Sequence, residues 1–82
     1  MSLRALSVPR DVSVATTPEG APHEVVVDGR RNGVMTVRDD WIVQDLWWTD
    51  RVVDRHYFEL VLDSGRLMVV YRDAAAAWFT HG

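Results

Sequence analysis

Cysteine is missing from all 82 residues, so neither disulfides nor thiolate metal sites can reinforce the fold. A basic excess is missing as well. The formal net charge is −3, the reverse of the balance usual in a dedicated duplex-DNA binder, and the mean field weakly repels phosphate. A local basic patch stays compatible with that total. No apolar run approaches the ~18 residues that cross a bilayer, and no signal-peptide pattern is visible. The expectation is a cytoplasmic protein with no membrane partner. Also absent are H-x-x-x-H, G-x-S-x-G, the phosphate-loop pattern and G-x-G-x-x-G. The three histidines, His23, His56 and His81, stand far apart. Most carboxylates, among them Asp39, Asp40, Asp63 and Asp73, sit near turn signals, where Asp stabilises turns through its own hydrogen bonds. No metal, no cofactor and no enzymatic activity are therefore expected.

Helical periodicity is nearly absent too, and alternation takes its place. Residues 1–10 read as a loose N-terminal arm and residues 11–82 as a single small β domain. Val12 and Val14 alternate with small or polar neighbours as a first short strand. "TTPEGAP" is a loop. "HEVVVDG" is a β-branched strand, "GRRNG" its hairpin connection, and Gly33 to Val37 the return strand, interrupted at Arg38-Asp39-Asp40 by a bulge or bend. Trp41 to Trp48 continues that strand or forms a fourth. After the polar "TDRVVD", the run "DRHYFELVLDSGRLMVVYRD" is a hairpin about Ser64-Gly65.

A two-residue loop there pairs Leu62 with Leu67, Leu60 with Val69 and Phe58 with Tyr71. That keeps the face of these six residues wholly apolar and sets Tyr57 opposite Arg72 on the other; in the same register His56 faces Asp73. A three-residue loop with Gly65 in the left-handed region is the alternative. It sets Phe58, Leu60 and Leu62 beside Arg66, which mixes the faces, so the first register is preferred. After Asp73 the alanines form either one helical turn or a turn before a last strand at Trp78 to Thr80. The fold class is all-β: a small antiparallel meander of five to seven strands, curled into a partly open barrel to bury one face.

Three of the four tryptophans lie in "WIVQDLWW". Alternation puts Ile42, Gln44, Leu46 and Trp48 on one side and Trp41, Val43, Asp45 and Trp47 on the other. Leu46 and Trp48 suit the core. Trp41 and Trp47, with Tyr57 and Arg72 on the outer hairpin face, make a candidate binding strip of the Trp/Tyr/Arg type that anchors protein partners. The same rings, with Arg30 and Arg31, could stack single-stranded bases. A homodimer that completes the thin core and covers the strand edges is the third expectation.

The order Trp41, Trp47-Trp48, Arg55 with Tyr57-Phe58, Gly65, Tyr71-Arg72-Asp73, Trp78 and Gly82, with Pro9-Arg10 ahead of Val12 and Gly29-Arg30-Arg31 ahead of the Trp strand, resembles the small C-terminal domain of ImuB-type proteins. These are non-catalytic relatives of Y-family DNA polymerases, and similar domains of unknown function also occur free-standing. The resemblance spans residues 9–82. It departs at Asp39-Asp40, where the family has Gly-Pro, at Ala74 to Ala77, where the family has Gly, and after Gly82, where the family continues. It implies an accessory, protein-binding role beside the mutagenesis polymerase machinery, and no catalytic residue.

Overall fold

Seven strands follow one another without a helix in the computed structural model, which describes residues 9–45 and 53–81. They are β1 (Pro9–Asp11), β2 (Ser13–Thr16), β3 (Pro22–Val27), β4 (Arg30–Asp45), β5 (Val53–Leu62), β6 (Leu67–Asp73) and β7 (Trp78–His81). All pairings are antiparallel, in the order β1-β7-β6-β5-β4-β3-β2. The sheet curls into a barrel that is nearly closed, as the sequence leads one to expect. Its one seam lies between β1 and β2. Among the described residues no helix is long and apolar enough to cross a membrane.

The seam follows from the chain path at Val12. There the first extended segment leaves β7, which β1 pairs, and joins β3, which β2 pairs. The N–H of Val12 still reaches the Trp78 carbonyl at 3.2 Å. Lower down, Arg10 meets Asp28 at 3.5 Å and bridges β1 to the β3–β4 turn. The expected first strand is thus real but broken in two. Pro9 and Arg10, assigned above to the arm, belong to β1.

The β3–β4 connection is shorter than "GRRNG" suggests. Val27 pairs with Arg30, so only Asp28 and Gly29 turn the chain, both with positive φ (52° and 75°). That is the mirror-image turn whose twist matches a hairpin, and Asp-Gly is among its favoured pairs. β4 then runs unbroken through Arg38-Asp39-Asp40. Its register against β5 shifts between Val34 and Thr36 and again between Val37 and Asp39. Bulges of this kind bend a strand, which lets one strand serve β3 at its start and β5 along the rest.

The β5–β6 hairpin corrects the preferred register. The Leu62 N–H bonds the Arg66 carbonyl at 2.9 Å, and the loop is Asp63-Ser64-Gly65 with Gly65 at φ 88°. Phe58 faces Val70, Leu60 faces Met68 and Tyr57 faces Tyr71. The apolar residues do not all share one face. Leu67 is 55% exposed, whereas Tyr71, on the outer face, is only 3% exposed. Arg66 sits beside Leu62 at the open end of the barrel, where its guanidinium stays in water, so mixing the faces there carries no desolvation penalty.

The alanines form a turn, not a helical one. Asp73 Oδ1 accepts from the N–H groups of Ala75 and Ala77 at 2.9 and 3.0 Å, and Ala76 takes φ 66°. The core inside the barrel is Val25, Phe58, Leu60, Leu62 and Val70, packed by Val12, Val14, Val27, Val34, Val37, Met68 and Trp78.

Candidate protein-interaction face

Directly opposed residues on neighbouring strands point the same way, and strands stand ~4.8 Å apart. The register therefore lines up Trp41 of β4, Tyr57 of β5, Tyr71 of β6 and Phe79 of β7 across the outer face of the barrel. Their rings form a continuous row. Trp41 and Tyr57 stack at 5.4 Å with planes 1° apart. Tyr57 and Tyr71 lie at 5.0 Å, and Tyr71 and Phe79 at 5.3 Å, both tilted. Each such contact contributes about 0.5–1.5 kcal/mol beyond the area it buries.

Arg55 lies over this row. Its guanidinium carbon sits 4.6 Å from the Tyr71 ring centroid, and Nη1 donates to the Tyr57 hydroxyl at 3.2 Å. The Tyr57 hydrogen bond, more than any other contact, holds the Arg55 pKa above its ordinary value, so the cation is secure. Burial pushes the Tyr71 phenol up, and the Arg55 charge offsets part of that rise. The row is thus graded. Tyr71 is enclosed, Tyr57 and Phe79 are half-buried, and Trp41 is 39% exposed. Asp39 and Glu59, opposed in register, flank it on one side, with Arg38 within 3.8 Å of Glu59.

Of the four residues expected to bind, the structure brings Trp41 and Tyr57 together. Trp47, like Leu46 and Trp48, lies outside the described residues. Arg72 is on the opposite face, a correction that follows directly from the one-residue change in register. It opposes His56 and Trp78, with its guanidinium carbon 5.9 Å from the Trp78 ring. Arg55 takes the place assigned to it. A signal for Arg55 was present: in Arg55-x-Tyr57 the two side chains share a face whatever the loop length.

His56 likewise does not face Asp73, which opposes Arg55. Its ring stacks on Phe58 at 4.2 Å, and Nε2 lies 2.7 Å from Asp40 Oδ2. Among the described residues no group of three or more His, Asp or Glu side chains could hold a metal ion. No protein-family model, curated protein or solved structure matches this chain.

Proposed function

We propose that this chain is a non-enzymatic protein-interaction module that grips its partner at the Trp41 end of the outer aromatic row. One observation carries this reading: a partly exposed tryptophan is held flat against Tyr57, which is itself backed by Tyr71 and Arg55. A ring already fixed loses little rotamer freedom on binding, and anchors of this type dominate protein interfaces. Asp39 and Glu59 beside the row oppose a phosphate backbone, which favours a protein partner over single-stranded nucleic acid. The resemblance to ImuB-type domains supports a setting in bacterial damage-tolerance complexes, with the mutagenesis polymerase machinery as partner.

The test is affinity capture from the source cells, with and without DNA damage, using the native chain and Trp41→Ala side by side. The reading predicts a protein retained by the native chain and lost with the variant, while circular dichroism of the two is the same. Salt-sensitive binding of an oligonucleotide to the same face would replace it with the nucleic-acid reading.

A further inference from the structure

A recess lies away from the aromatic row, at the end of the barrel where the β3–β4 turn and the β5–β6 loop meet the start of β1. Its volume is about 480 Å³, and its lining includes Arg10, Val27, Leu62, Arg66, Met68 and Thr80. These residues come from β1, β3, β5, the β5–β6 loop, β6 and β7. The recess is therefore the mouth of the barrel, opened by the seam beside β1. Mouths of small barrels are common ligand sites, and this volume lies within the usual range of about 300–1,000 Å³.

Its chemistry is two-sided. The floor is apolar and closed: Leu62 is buried, and Val27 and Met68 pack on the core. The small polar groups are already engaged. The Thr80 hydroxyl donates to the Val69 carbonyl at 2.7 Å, and the amide of Asn32, also in the lining, donates to the Arg30 carbonyl at 3.1 Å. The charges are of one sign, since two guanidiniums and no carboxylate line the space. Asp28 reaches Arg10 from the turn, but its side chain is 76% exposed, so the pair is weak and exchangeable. Arg66 makes no ion pair among the described residues. A chain with net charge −3 thus carries a concentrated positive spot over an apolar floor.

We propose that the barrel mouth binds a carboxylate carried on a short aliphatic group. Arg66 and Arg10 take the carboxylate, since guanidinium forks match it in geometry and charge. The aliphatic part lies on Val27, Leu62 and Met68. A bare inorganic anion would leave that floor unused, and an amine would meet like charge. The shared chemistry has two sources, a free fatty acid or the C-terminal carboxylate of a peptide ending in an aliphatic residue. The site is separate from the aromatic row and does not depend on it.

The experiment is an amide-shift titration of the full chain by nuclear magnetic resonance. The probes are sodium octanoate, octanol, and a hexapeptide ending in leucine, as free acid and as amide. At least one of the two acids should perturb Val27, Leu62, Met68 and Thr80 saturably, and its uncharged counterpart should bind about tenfold more weakly, as expected on losing a charge-assisted hydrogen bond. Arg66→Gln, at an exposed position that keeps the fold, should weaken the acid by a similar factor and leave octanol unchanged. Trp41→Ala should have no effect. A response to octanoate alone identifies a fatty acid, and one to the free-acid peptide alone identifies a C-terminus. Equal binding of acids and uncharged counterparts, indifference to Arg66→Gln, or no shift at these amides with either acid overturns the proposal.

Discussion

Truncation of Leu60, compared with truncation of Leu67, reads the register of the central hairpin directly. Leu60 is 0% exposed at the centre of the core cluster. Leu60→Ala removes three carbons, worth about 2.4 kcal/mol at ~0.8 kcal/mol each. The space left behind adds to this, which places the expected loss at about 3 kcal/mol within the usual range of roughly 2–5. A domain of this size has a total stability of about 4–12 kcal/mol, so the loss is a large fraction. It corresponds to a fall in Tm of roughly 12–24 °C. Leu67 is 55% exposed, and Leu67→Ala should change stability by no more than about 0.5 kcal/mol. In the two-residue-loop register Leu67 would instead stand opposite Leu62 on the core face, and both truncations would be costly. Urea unfolding followed by tryptophan fluorescence measures the two losses, with unchanged m-values showing that only stability moved. Comparable losses at the two positions would refute the three-residue loop and the outer aromatic row with it.

Other outcomes follow from single contacts. Gly65→Ala places a Cβ at φ 88° and should cost about 1–2 kcal/mol, while Ser64→Ala stays near neutral in the same denaturation assay. Ala76→Gly relieves φ 66° and should stabilise by a few tenths to about 1 kcal/mol. Asp73→Ala removes the acceptor of two turn N–H groups and should cost about 1 kcal/mol, with Asp73→Asn restoring most of it. Tyr71 has a raised folded-state pKa, chiefly from burial. Its contribution to stability is therefore full below the ordinary tyrosine value of about 10, and is lost as pH rises through the folded value, because the unfolded phenol ionises first. Ultraviolet titration should show one tyrosine ionising late, and Tyr71→Phe should flatten the alkaline fall in stability.

Much of the barrel can be read along the chain. Alternation at Phe58, Leu60 and Leu62 marks the buried face of β5, and Asp28-Gly29 marks a hairpin. What alternation does not resolve is register. Ser64-Gly65 closes a two-residue loop as plausibly as Asp63-Ser64-Gly65 closes a three-residue one, and the rule that apolar residues share one face favours the shorter. That rule fails here because the outer face has its own buried aromatic, Tyr71, covered by Tyr57, Phe79 and Arg55. One residue of slip then moves Arg72 to the opposite face and leaves Arg55 over the rings. Of the two shifts in β4, only the one between Val37 and Asp39 is legible, as an interruption near Arg38. The one between Val34 and Thr36 leaves no mark in the alternation, since a bulge is fixed by the curvature that barrel closure demands. Trp41 and Tyr57 escaped the error: neither the outward side of Trp41 nor that of Tyr57 depends on the loop after Leu62.

The most direct measurement of the central claim is the amount of partner protein captured by the native chain, by Trp41→Ala and by Leu67→Ala, with the fold of each verified by circular dichroism. Both substitutions remove exposed apolar surface from the outer face, but only one touches the aromatic row. The binding-face reading predicts that capture survives Leu67→Ala and falls at least about tenfold with Trp41→Ala, the scale of an interface anchor. Equal capture by all three chains, or a loss with Trp41→Ala that appears only together with unfolding, would contradict it.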